Sequence, residues 1–230
     1  MTITFREVPT SEFAAAGAVL MAAHIRDALE LRGSCHLAVS GGRAPWAMFG
    51  VLAREQIDWS RVHVWQVDER VAPDRDVDRN SVGLKTSLLT LAPILANHVH
   101  LMDVTAPDLE EAAAAYSDEL LKACDSTLDI VHLGLGSDGH TASWPPGDPV
   151  IDVVDRDVAM THEYQGHVRM TLTVPCINRA RERLFLVTGS EKEWATETLR
   201  SGGDIPACRV THLNTSALVS LDAPLAEEIL

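Results

Sequence analysis

The segment LGLGSDGHTASWPPG, residues 133–147, sets a carboxylate (Asp138), an imidazole (His140) and two hydroxyls (Thr141, Ser143) among and behind glycines 134, 136 and 139. Imidazole titrates near neutrality, as a general base or general acid must. Asp138, two residues earlier, can fix the tautomer of His140 or stabilise its protonated form. The competing reading is a histidine that caps a turn, and the chain has ten histidines. The glycines also spell G-x-G-x-x-G behind an apolar run. A dinucleotide site needs a helix starting at those glycines, so that its N-terminus meets the pyrophosphate. Here Pro145, Pro146 and Gly147 follow too closely for more than about a turn of helix. Asp155 and Asp157 stand near the position of a ribose-binding carboxylate, but an isolated acid means little in so acidic a chain. The expectation is an acid–base loop, with no nucleotide or other cofactor.

Anion-holding groups lie elsewhere. Ser40-Gly41-Gly42-Arg43-Ala44-Pro45 follows an apolar run and leads into a helix. Glycine turns free backbone N–H groups, and a helix N-terminus adds partial positive charge, both suited to phosphate. A plain strand-to-helix turn fits the same residues, and they leave both readings open. Asp68-Glu69-Arg70 closes another apolar run, with Glu69 read as solvated or salt-bridged surface. Arg169 sits in a strand-like run, where arginine is ordinarily an edge charge. Lys192, one of three lysines, follows Thr188-Gly189 at the start of a helix. A cation there is electrostatically unfavourable unless an anion binds nearby. The run 74–85 imitates a calcium loop and fails at Arg79 and Lys85, which replace the required Gly and Glu. No metal is expected.

These residues need a frame. Apolar positions at helical spacing predict a helix over 11–31, with further helices from about Pro45 and over 80–90, 108–123 and 191–200. Strands are predicted at 35–40, 62–68, 128–136, 167–175 and 183–189. The run VTHLNTSALVSLD near the end is ambiguous. Such alternation implies an α/β fold, doubly wound and Rossmann-like, with a mostly parallel sheet and helices on both faces. Ligands of such sheets bind at the carboxyl ends of the strands. The candidate loops all follow strands, so they should converge on one rim. With no repeat, low-complexity tract or Pro/Gly-rich linker, residues 1–230 read as one domain.

The composition narrows the partners. A formal charge of −14 opposes non-specific nucleic-acid binding, while a few local cations can still hold one phosphate. No apolar run approaches the roughly 20 residues of a membrane span. MTITFREVPTSEF lacks the layout of a signal peptide, so a cytoplasmic location is expected. Cys35, Cys124, Cys176 and Cys208 form no C-x-x-C pair, which favours reduced thiols over zinc or redox sites.

Read in order, SGG-x-x-P, VDER-x-x-P with Asn80-Ser81, GLG-x-DGHTAS-x-x-PG, R-x-TLT-x-P-x-IN-x-A and TG-x-x-K form a series. It resembles the 6-phosphogluconolactonases, within the wider group that includes glucosamine-6-phosphate deaminase. The resemblance covers about residues 35–195, and DGHTAS with PG close behind is its most specific part. It implies hydrolysis of 6-phospho-D-glucono-1,5-lactone to 6-phospho-D-gluconate without cofactor or metal, by a monomer or homodimer. His140 falls on the general base, and Asp68, Arg70 and Asp138 on substrate-facing acidic and basic positions. Ser40, Gly41 and Gly42 match the sugar-phosphate loop; Arg169 and Lys192 match phosphate-binding cations.

Three departures stand out. Arg43-Ala44 replaces small hydroxylated residues, so Arg43 is a candidate extra phosphate contact. Trp144-Pro145 replaces Leu-Phe, an expected change in the pocket wall, and Cys208 stands where Ser is common. Nothing is carried over beyond Arg209. An aminosugar-phosphate isomerase or deaminase is the nearest rival. It calls for tyrosine after the Asp-Glu pair and a Phe-Asn-Glu-like run after the histidine, where this chain has Arg70 and Thr141-Ala142-Ser143. A non-catalytic sugar-phosphate-sensing module is a second rival, and no basic helix-turn-helix precedes residue 35 to support it.

Overall fold

In the computed structural model, which describes residues 3–211 and 213–222, the alternation predicted from sequence becomes two sheets. The larger contains β1 (Thr4–Glu7), β2 (Cys35–Val39), β3 (Val62–Gln66), β5 (Val99–His100), β6 (Ile130–Leu133), β9 (Glu182–Thr188) and β10 (Thr215–Ser220). Its order is β1-β10-β9-β6-β2-β3-β5, and every pair is parallel. The smaller sheet runs β4 (Asp68–Arg70), β8 (Arg169–Leu172), β7 (Val158–Met160), all antiparallel. The ambiguous C-terminal run supplies β10, which lies between β1 and β9. The ends of the 1–230 span lie outside the described residues.

Side chains of a strand alternate between faces, and the core divides accordingly. Leu37, Val39, Val64, Ile130, Leu184 and Leu186 pack with α1 (Thr10–Arg32) and α2 (Arg43–Leu52). Ala38, Trp65, Val131, Leu133, Phe185 and Val187 face α4 (Leu109–Cys124) and α6 (Glu193–Ser201). The second cluster also takes in Met170 and Leu172 of β8 and Val158 of β7, so it joins the two sheets. Helices therefore cover both faces, as expected of a doubly wound sheet.

The stripe Phe13, Gly17, Met21, Ile25, Ala28 explains why α1 forms where predicted. Gly33, at φ 82°, ends it with its N–H on Leu29 O. Other elements break earlier than the sequence reading. Helix 80–90 is α3 (Asn80–Leu84) followed by a π-turn over Lys85–Leu89. The strand expected over 167–175 stops at Leu172, and α5 (Val174–Arg179) begins with Pro175 in its first turn. Asp68–Arg70 is itself a strand pairing with β8, not a loop closing β3.

The chain leaves β2 for β3 and β5 on one side, then returns to β6 on the other side of β2 and continues to β9 and β10. The carboxyl ends of β2 and β6 thus flank the topological switch point, where open α/β sheets bind ligands. Those ends are Ser40-Gly41-Gly42 and the 134–140 loop.

Candidate active site

A cleft of about 1030 Å³ opens over these ends. It is lined by Ser40, Gly41, Gly42, Arg43, Asp68, Arg70, His140, Arg169 and Lys192, so the structure brings together all but one of the residues singled out in the sequence. The exception, Asp138, sits behind His140.

The 136–140 turn is built to hold that pair. Gly136 donates its N–H to His140 O at 2.8 Å, and Gly139 donates back to Gly136 O at 3.0 Å. A Cβ on Gly136 would overlap His140 Nδ1 and crowd Asp138 Oδ1, and Gly139 adopts φ 85° against Ile205. Only glycine serves at either position. His140 Nδ1 lies 2.6 Å from Asp138 Oδ1, leaving Nε2 as the ring nitrogen free for chemistry. Burial works to raise the Asp138 pKa, but hydrogen bonds from Tyr164 and His140 overcome it and hold the carboxyl below its ordinary value. No helix follows Gly139; residues 140–148 run as turns. Thr141 Oγ1 donates to Gly134 O at 2.7 Å, and Ser143 Oγ donates to Asp68 Oδ2 at 2.7 Å. The Trp144 indole donates to Leu172 O at 2.8 Å from a fully buried position. Trp144 therefore belongs to the core, and the expected change in the pocket wall does not occur through it.

The small sheet places two cations face to face. Arg70 on β4 and Arg169 on β8 are direct cross-strand partners, an arrangement that like charges disfavour. Each has a buried Nε without a hydrogen-bond partner among the described residues. Arg70 spends Nη1 on Asp78 O at 2.9 Å, whereas among the described residues the Arg169 guanidinium makes only long 3.4 Å hydrogen bonds, to Tyr164 O and Gln165 Oε1. Arg169 is buried on the central strand of its sheet, not an edge charge. Burial lowers its pKa, and Asp68 opposes that shift. Asp68 is buried too; desolvation raises its pKa, against hydrogen bonding from Ser143 and the charge of Arg169. An anion between the arginines would relieve their repulsion.

Glu69 is not surface. It is fully buried and accepts from Arg70 N, Asn80 N, Ser81 N and Gln66 Nε2 at 2.7–3.0 Å, with Arg79 Nε 3.2 Å away. It pins α3 to β4, and Asn80 thereby reaches the cleft.

On the other side, Ser40 donates its N–H to both O and Nδ1 of His132 at 3.2 Å. Gly42, at φ 135°, turns the chain into the first turn of α2, which has no acidic residue. Arg43 is exposed at the mouth of the cleft. Gly189, at φ 111°, makes the turn that delivers Lys192. Burial lowers the Lys192 pKa, with Glu191 opposing.

Sequence reasoning did not single out Tyr164, Gln165 or Glu191, and it met Asn80 only as part of a motif. Gln165-Gly166 between apolar strands was the available turn signal for the first pair. Among the described residues no group of three or more His, Cys, Asp or Glu is placed to hold a metal ion, and no helix is long and apolar enough to cross a membrane.

Comparison with known proteins shows the family of this chain. Among relatives, a 6-phosphogluconolactonase of Synechocystis sp. is 35% identical over 77% of this chain and 76% of its own. One of Streptomyces coelicolor is 35% identical over 84% and 81%. Among solved structures, a 6-phosphogluconolactonase of Thermotoga maritima superposes with a TM-score of 0.88 at 25% identity, covering 95% of this chain and 99% of its own. The profile of the family described as glucosamine-6-phosphate isomerases/6-phosphogluconolactonase matches residues 9–219, and the chain belongs to that family.

Proposed function

We propose that the protein hydrolyses 6-phospho-D-glucono-1,5-lactone to 6-phospho-D-gluconate, the lactone-opening step of the oxidative pentose phosphate pathway, with His140 as general base. The observation that carries this reading is the Asp138–His140 pair, with its free Nε2, in a cleft that also holds Arg70, Arg169 and Lys192. The relatives named above give the lactone as the substrate to test.

In the proposed reaction, His140 Nε2 removes a proton from water as its oxygen bonds to C1 of the lactone. Asp138 stabilises the imidazolium that forms. The carbonyl oxygen becomes an oxyanion, met by Arg70, while the N–H groups of Gly136, Gly139 and His140 stay engaged within the turn. Collapse breaks the bond between C1 and the ring oxygen, and His140 returns the proton to that oxygen. Arg169, Lys192, the Ser40–Gly42 loop and Arg43 hold the phosphate, and that binding sets C1 beside the base. Asp68 orients this side of the cleft through Ser143 and Asn80. The reaction, as written, calls on no cofactor. A cytoplasmic setting belongs to the same reading and is supported by the four free thiols.

A coupled assay with freshly made lactone, corrected for spontaneous opening, tests the proposal. Turnover of the lactone supports it. Ammonia release from glucosamine 6-phosphate, without lactone turnover, would assign the chain to the deaminase branch instead.

A further inference from the structure

The cleft contains a feature that the hydrolytic scheme does not use. β7 and β8 are joined by a hairpin whose tip, Tyr164-Gln165-Gly166-His167, closes with Tyr164 N to His167 O at 2.9 Å and the reverse bond at 3.2 Å. Both central residues have positive φ, 50° at Gln165 and 81° at Gly166, the mirror-image two-residue turn. Asn or Gly is the usual first residue of such a turn, and a glutamine there is strained.

The strained geometry coincides with a network. Tyr164 Oη donates to Asp138 Oδ2 at 2.6 Å, while the other oxygen, Oδ1, holds His140 Nδ1. The same hydroxyl accepts from Gln165 Nε2 at 2.9 Å, and Gln165 Oε1 reaches Arg169 Nη2 at 3.4 Å. The Arg169 guanidinium lies over the Tyr164 ring, 5.0 Å from its centroid. Burial first, then the Asp138 carboxylate, push the phenol pKa above its ordinary value, so Tyr164 remains a proton donor through the neutral range.

We propose that Tyr164 is a positioning residue of the hydrolytic centre. Its hydroxyl fixes the carboxylate of Asp138 against His140, and the strained Gln165 ties that hydroxyl to the substrate-side cation Arg169. The proposal rests on the assignment of His140 as base. Tyr164 does not line the cleft, and its hydroxyl also lies 3.2 Å from His140 Nδ1, so it acts through the Asp138–His140 pair and not on substrate.

The charged groups around Asp138 are His140 on its own turn and Arg169 on β8, with Asp68 and Arg70 flanking Arg169. Removing the phenol hydroxyl deprives the carboxylate of one of its two strong donors. Its negative charge then acts more fully on the imidazole and favours the protonated ring, which is inactive as a base. Tyr164→Phe keeps the ring beneath Arg169 and loses only the hydroxyl.

In Tyr164→Phe, kcat for lactone hydrolysis should fall about tenfold, with KM changed less than about twofold. The acidic limb of the kcat/KM profile should move up by about half a pH unit or more. In an Asp138→Asn background the same substitution should have a clearly smaller effect on kcat. A wild-type kcat and pH profile in Tyr164→Phe would overturn the proposal, as would an equal loss with and without Asp138. Gln165→Gly relieves the positive φ and offers a variant that folds easily. It should lower kcat about two- to threefold at constant KM, and an unchanged kcat counts against the proposal. If His140→Ala keeps wild-type activity, the base assignment itself fails. If His140→Ala is inactive while Tyr164→Phe is unaffected, only the role of Tyr164 fails.

Discussion

At the scale of single residues, the site is a matter of where charge is buried and what faces it. Arg70 and Arg169 stand opposite each other on neighbouring strands, and Lys192 is set across the cleft by the Gly189 turn. A dianionic phosphate suits this arrangement better than a neutral sugar does. Lys192→Ala should raise KM about tenfold or more while kcat changes little, because phosphate contacts bind ground and transition states alike. An unchanged KM would remove Lys192 from the phosphate site. Glu69 illustrates a structural charge beside a functional one. It is buried among three backbone donors, one amide and Arg79. Glu69→Ala should destabilise the protein by about 3–5 kcal/mol, the cost of leaving a buried counter-charge and its donors unmatched. Urea unfolding measures this, and a loss below about 1 kcal/mol would contradict the burial argument.

At the scale of elements, the large sheet carries a histidine-rich feature at the strand ends opposite the site. His36 on β2 stacks on His63 of β3 at 4.4 Å between centroids, and His63 stacks on His98 at 3.8 Å. His63 Nδ1 contacts His100 Nε2 at 3.0 Å, and His100 pairs with Glu119 of α4. Burial, then the other three histidines, depress the His63 pKa to about 4. His132, fully buried in β6 beneath Ser40, is depressed by burial to about 3. Both groups are neutral in the folded protein, while the unfolded chain binds their protons near the ordinary value of 6.5. Stability is therefore whole above pH 6.5 and is lost as the pH falls towards these depressed values. The loss from His132 alone is on the order of 5 kcal/mol once both states are protonated. Urea unfolding between pH 7 and pH 4 should show the decline, and His63→Gln should make it shallower. An unchanged slope in that variant would contradict the role given to the stack.

The elements also show what a sequence can and cannot reveal. Helix α1 was legible because one apolar stripe runs its whole length, and β2, β3, β6 and β9 were legible as short apolar runs. The tertiary setting of Asp68–Arg70 was not: three charged residues look like a loop until β8 is there to pair with them. β10 read as ambiguous because Thr and Ser interrupt its apolar positions, yet it is buried between β1 and β9. The Asp138–His140 turn and the diglycine stood out by residue type and spacing, whereas the part given to Arg70 came from the family resemblance. Tyr164 was missed because its partner Asp138 lies 26 residues away in sequence, a contact made by the β7–β8 hairpin folding back on the turn.

At the scale of the whole molecule, a chain of net charge −14 gathers arginines and a lysine at one rim, where two sheets meet around a shared core. The doubly wound order explains the convergence: β2 and β6 lie side by side although some ninety residues separate them, and each ends in a glycine loop. One loop opens into the first turn of α2, the other presents an imidazole backed by a carboxylate. The second loop spells a dinucleotide fingerprint, but no helix starts at its glycines. Gly136 lets His140 and Asp138 pack against the turn itself, and Gly139 makes room for Ile205. The most direct test of this account is the turnover number of a folded His140→Ala protein with fresh 6-phosphogluconolactone. A kcat lower by about 10²–10⁴-fold is expected, as for the loss of a general acid–base group. A kcat close to that of the unsubstituted protein would contradict it.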